Sequence, residues 1–149
     1  MVAAIRPDGW DLALFVHVTG AMLLVGSLVV VVVTMAAALR RGDGAEVLTR
    51  LAFRALLIGV LPAYVVMRVG SEWIASKENV PDDADWIGIG YSTADGGLVL
   101  TIIAAVLAWR AARRGAAGPG GLGRGVLVLA AVLILAYAVT IWAMAAKPG

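Results

Sequence analysis

The sequence predicts an all-α integral membrane protein, an up-and-down four-helix bundle with both termini outside. Three observations predict it. Hydrophobic residues make up 62% of the 149 positions and charged residues only 15%, too apolar a balance for a soluble domain of this size. The apolar residues fall into four long runs separated by short polar segments. The basic residues are sorted to one side of those runs.

The first run, about 11–39, carries no charge between Asp11 and Arg40. A hydrocarbon core of roughly 30 Å needs about 20 apolar residues, so this run spans it with tilt to spare. Its length also argues against a cleaved signal peptide, whose apolar region runs about 7–15 residues. Trp10 is placed to anchor the helix start, and Asp11 suits the positive end of the helix dipole. Every third or fourth residue from His17 gives Gly20, Leu24, Ser27, Val31 and Thr34, a face with small and hydroxylic residues that should meet protein. Phe15, Val18, Met22, Val29 and Val33 form the opposite, lipid-facing surface.

A tight charged turn, 40–46, returns the chain into a second span at about 47–70, with Arg50 and Arg54 in its first turns. Pro62 should kink it mildly. Ala52, Ala55, Gly59, Ala63, Val66 and Gly70 make its packing face. The outer loop, about 71–95, gathers Glu72, Lys77, Glu78, Asp82, Asp83 and Asp85 beside Trp73, Trp86 and Tyr91. Residues 71–77 extend the second helix beyond the apolar band, Pro81 ends regular structure, and Ser92 with Asp95 reads as a weak capping box opening the third span. That span, about 96–112, has Thr101, Ala104, Ala108 and Ala111 on its small face. A glycine-rich segment, 115–125, reads as a flexible turn before the fourth span at about 124–146.

Orientation follows from the basic residues. Arg40, Arg41, Arg50, Arg54, Arg110, Arg113, Arg114 and Arg124 flank the first and third connections, against Arg6, Arg68, Lys77 and Lys147 on the other side. The positive-inside rule then puts the arginine-rich turns in the cytoplasm. The expected location is the cell membrane, multi-pass, with the lipid bilayer as one partner and a second copy or another membrane subunit as the other. A formal charge of +2 and no basic stripe with interleaved aromatics argue against nucleic acid.

Zero cysteines exclude disulfides, thiolate metal sites and a cysteine nucleophile. Ser27 and Ser92 have no histidine at recognisable spacing, no carboxylates are paired within a span, and the glycines at 118–125 lack a following lysine with serine or threonine. Chemistry is left with one candidate place. His17 lies six residues into its helix, roughly 9 Å at 1.5 Å per residue, and Tyr64, Arg68, Tyr137 and Thr140 fall at comparable depth on neighbouring spans. Ionisable residues in a span commonly mark a metal, haem or quinone pocket or a proton path. A histidine near a helix end also fastens bundles by bonding a hydroxyl such as Tyr137 or Thr140, and Arg68 can snorkel toward the acidic loop. A bis-histidine haem would need His17 from two subunits, and Met22 stands away from His17 in any copper set with Met67 and Met144.

The stretch Leu14, Phe15, Val16, His17, Val18, Thr19, Gly20 and Ala21, a histidine with a glycine three residues on, resembles the first-helix signature of small bacterial four-helix integral membrane families of unknown function. It is also distantly similar to the copper-resistance D type of membrane protein. That resemblance implies a metal or haem contact at His17; the chain differs in having no second intramembrane histidine and fewer helices. The alanine, valine, glycine and arginine content looks like that of a high-GC bacterium. The residues favour a small non-catalytic subunit, accessory or oligomer-forming, with a haem- or copper-binding redox protein as the alternative. A small-solute transporter stands further back, for want of an intramembrane carboxylate between the helix ends.

Overall fold

The computed structural model describes the backbone of residues 11–77 and 85–146, and their side chains apart from 77 and 85–87. Trp10 as an anchor, Pro81 as a stop, the charges of Arg6, Glu78, Asp82, Asp83 and Lys147, and the side chains of Lys77, Asp85 and Trp86 lie outside it. Among the described residues there is helix and no strand. The elements are α1 (Asp11–Arg40), α2 (Ala45–Arg54), a π-helical segment (Ala55–Val60), α3 (Leu61–Lys77), α4 (Asp85–Ala112) and α5 (Gly120–Ala146), with one 3₁₀ turn (Gly115–Ala117) before α5. Four helical rods are long and apolar enough to cross a membrane: Asp11–Arg40, Ala45–Ser76, Gly88–Ala112 and Gly120–Ala146.

Each rod packs chiefly on its sequence neighbours, and α5 closes the ring against α1. That is the up-and-down arrangement short turns dictate. α1 turns a seam of Ala13, Gly20, Leu24, Leu28, Val31, Met35 and Ala38 inward, a spacing of three and four that keeps one stripe against its neighbours. His17, Ser27 and Thr34 sit half-buried at its edges, and Phe15, Val18, Met22, Val29 and Val33 are all exposed, as the alternation of small and greasy residues predicts. The core joins Leu24 and Leu28 of α1 and Leu133 of α5 with Ala104 and Ala108 of α4 in one cluster, and α4 packs closely along α5.

Pro62 shapes the second rod without ending it. A proline has no N–H for the carbonyl four residues back, and its ring crowds that carbonyl. The turn before it widens to π geometry, with the Leu61 N–H donating to the Leu56 carbonyl, and helix resumes. Ala63 and Gly70 are buried as their spacing predicts, together with Leu56, Val60, Tyr64 and Met67, whereas Val66, assigned to the packing face from spacing alone, is exposed.

Three readings of the connections change. Helix extends through most of the segment read as the outer loop, so Ser92 and Asp95 lie inside α4 and cap nothing. Polar contacts hold that extension: Ser71 donates to the Arg68 carbonyl at 2.8 Å, Ser76 to the Trp73 carbonyl at 2.8 Å, and Arg68 bridges Glu72 at 3.2 Å and Asp95 at 3.6 Å. The glycines from 120 to 125 are helical rather than a flexible turn. Gly123 explains why: a Cβ there would stand 2.5 Å from Pro119 Cβ and 3.0 Å from Met35 Sδ, so the glycine admits α1 and the turn against the start of α5.

Candidate functional site

The end of the bundle that carries His17 is built by a reciprocal crossing of α1 and α3. A Cβ on Gly20 would fall 2.7 Å from Met67 Cα, and a Cβ on Gly70 would fall 2.6 Å from His17 Cα. Two antiparallel helices each place a glycine opposite a bulky residue of the other, three positions apart on both. The backbones meet because no side chain separates them. At that distance His17 Nδ1 lies 3.0 Å from the Met67 carbonyl oxygen. A carbonyl only accepts, so Nδ1 carries the proton and donates. The glycine three residues after the histidine therefore has a mechanical role: it sets the separation at which the imidazole reaches backbone on α3.

Fixing the proton on Nδ1 leaves Nε2 without a protein partner among the described residues. This is the tautomer by which metal-bound histidines are oriented through a backbone carbonyl. Haem or copper must still find further ligands. Among the described residues no three His, Cys, Asp or Glu side chains converge, Met22 is exposed on the far face of α1, and the Met144 methyl rests where a Cβ on Gly90 would stand. Among the described residues one chain offers such a group a single imidazole nitrogen.

The remaining candidate residues separate into two places. Tyr64 and Tyr137 are buried and within electrostatic reach of one another. The Tyr137 hydroxyl is buried with no hydrogen-bond partner, in a space left by Gly97, where a Cβ would stand 2.6 Å from it. Thr140 turns away from His17 and donates to the Ala136 carbonyl of its own helix at 3.0 Å. Arg68 belongs to a different group, on the side facing α4: besides its two carboxylate partners it lies over the Tyr91 ring, 4.5 Å from the centroid.

The hydroxyl or carbonyl that receives His17 was the point sequence reasoning missed. Depth along the helices placed Tyr137 and Thr140 level with it, but rotation about each helix axis decides which group it meets. The signal was present as Gly20 and Gly70, since two glycines facing across an interface bring backbone carbonyls within side-chain reach. No family model matches the chain, and no curated protein or solved structure matches it.

Proposed function

We propose that this is a multi-pass protein of the cell membrane, crossing the bilayer four times with its termini outside and its arginine-rich turns in the cytoplasm, and that it acts as a non-catalytic, oligomer-forming or accessory subunit. The observation that carries this reading is how the polar side chains within the rods are used. Thr34, Thr49, Thr101 and Thr140 donate to carbonyls of their own helices, His17 donates to Met67, and the Tyr137 hydroxyl is the one fully buried side-chain oxygen or nitrogen among the described residues with no partner. Groups bound in this way hold helices and present no nucleophile beside a base. The face left outward is apolar, as acyl chains or a second subunit require. On α1 it includes Gly26, where a Cβ would meet nothing within 4 Å. A mid-helix glycine costs about 1 kcal/mol against alanine, and a second copy packed there supplies the contact its own chain does not.

The chain has no cysteine, so single-cysteine variants test both parts. In intact cells Ser76→Cys is expected to react with an impermeant maleimide, Gly42→Cys only after permeabilisation, and Gly26→Cys to form cross-linked dimers in the bilayer. Equal labelling of both ends refutes the orientation; a Gly26→Cys chain that stays monomeric in native membranes refutes self-association through α1.

A second reading rests on the Nε2 of His17, with haem or copper taking its other ligands from a partner or a second copy. Optical spectra and metal analysis of purified wild type and His17→Ala separate the two: a Soret band or stoichiometric copper lost in the variant supports this second reading, and a colourless, metal-free wild type refutes it.

A further inference from the structure

At the opposite end from His17, α2 and α4 diverge around a groove of about 550 Å³ lined by Arg50, Phe53, Arg54, Trp109 and Arg113, with Gly115 of the 3₁₀ turn at its edge. Its three guanidiniums are not equally engaged. Arg50 pairs with Glu46 one turn back, and Arg113 lies over the Trp109 ring, 4.4 Å from the centroid. Arg54 has no ion pair, hydrogen bond or ring contact among the described residues. Three arginines and one glutamate leave the groove with a net charge of about +2 at neutral pH.

The depth of the groove along the bundle identifies what it meets. Arg54 is the last charged residue before the uncharged apolar stretch 55–67 of the second rod, so it stands where headgroup gives way to apolar chain. Trp109 occupies the matching level near the end of α4, as interfacial tryptophans do. Below the groove the surface is apolar, with Leu57, Ile58 and Val106 exposed. A ligand held here has a charged end at the arginines and an apolar body along that surface.

We propose that this groove is a binding site for one anionic phospholipid, its phosphate held among Arg50, Arg54 and Arg113 and its glycerol and upper acyl chain lying against Phe53 and Trp109. Guanidinium groups donate paired N–H bonds to phosphate oxygens, and the stacking of Arg113 on Trp109 aligns one such fork in advance. A zwitterionic lipid returns a positive charge to a groove that already has an excess, so the site selects for net charge and not for phosphate alone. The inference rests on the membrane reading proposed above.

The experiment is reconstitution into liposomes followed by native mass spectrometry of detergent-released protein titrated with phosphatidylglycerol or phosphatidylcholine. The expected result is tighter retention of phosphatidylglycerol, weakened roughly fivefold by each of Arg54→Gln and Arg113→Gln, from the typical contribution of one basic residue at an anionic surface. Arg124→Gln, exposed on α5 and outside the groove, is expected to bind like wild type. Far-UV circular dichroism before titration confirms that each variant is folded. A chain washed from the liposomes by alkaline carbonate overturns the membrane reading and this site together. A chain that stays inserted yet binds both lipids equally, or whose Arg54→Gln and Arg113→Gln variants bind like wild type, overturns the site alone. Displacement of phosphatidylglycerol by millimolar inorganic phosphate assigns the groove to free phosphate and overturns the lipid.

Discussion

Replacing Gly70 by alanine adds one methyl group where α1 and α3 are closest. The new Cβ would stand 2.6 Å from His17 Cα and 2.5 Å from its backbone nitrogen. Carbon atoms in contact sit about 3.6 Å apart, so the helices must separate by about 1 Å, and no rotamer relieves a clash with backbone. The same movement stretches the His17 to Met67 bond from 3.0 Å to about 4 Å, beyond hydrogen-bonding range. Overpacking of this kind costs about 1–3 kcal/mol, and an interhelical bond within a membrane adds about 0.6 kcal/mol. Alanine returns up to about 1 kcal/mol through its helix propensity. The expected net loss is about 0.6–2.6 kcal/mol. It is measured by titrating purified protein in mixed micelles with sodium dodecyl sulfate and following helix content. Gly96→Ala, on the exposed face of α4 where the methyl meets nothing, is the comparison and is expected to unfold at the same detergent fraction as wild type or higher. If Gly70→Ala and Gly96→Ala unfold together, the reciprocal crossing does not hold α1 to α3 and the reasoning fails.

Other perturbations probe the same end of the bundle. His17→Ala is expected to lower the unfolding midpoint by about 0.6 kcal/mol, the mean for an interhelical hydrogen bond in a membrane protein, and by no more than about 1.7 kcal/mol; a much larger loss would mean the imidazole holds something besides Met67. Tyr137→Phe removes a buried hydroxyl that has no partner, so the midpoint should rise or stay level, since leaving such a group unpaired costs about 1–3 kcal/mol. A clear fall in midpoint would show that the hydroxyl is engaged. Gly97→Ala should destabilise by about 1–3 kcal/mol and lose most of that cost in the Tyr137→Phe background, because the clash is with the hydroxyl oxygen; equal costs in both backgrounds would place the clash elsewhere. Arg68→Gln should cost only about 0.5 kcal/mol and less in high salt, because its carboxylate partners are solvent-exposed; a salt-independent loss would contradict that.

Much of the helical architecture was legible because apolar runs and their inward faces are local properties. The outward set of Phe15, Val18, Met22, Val29 and Val33 and the inward set of Thr101, Ala104, Ala108 and Ala111 follow from a helical period applied to side-chain size. The reading failed where that period is broken. In the second rod, around the π turn ahead of Pro62, the packing position after Ala63 falls at Met67 and not at Val66. It failed also at Gly120–Gly125, which is helical and where Gly123 lets Met35 and Pro119 approach closely.

The candidate site divides along the same line. Sequence by itself determined that His17 is the single histidine, that Tyr64, Arg68, Tyr137 and Thr140 reach similar depth, and that the arginines collect at the other end, because depth is only the count of residues along a helix. Tertiary structure decided that His17 meets the Met67 carbonyl, that Arg68 turns to Glu72, Asp95 and Tyr91, and that Arg50 and Arg54 of α2 share a groove with Arg113 of the turn after α4. Those pairings depend on how far each helix is rotated about its axis and how closely two backbones approach. Both are set by small residues on separate helices fitting together, which no single stretch of chain contains.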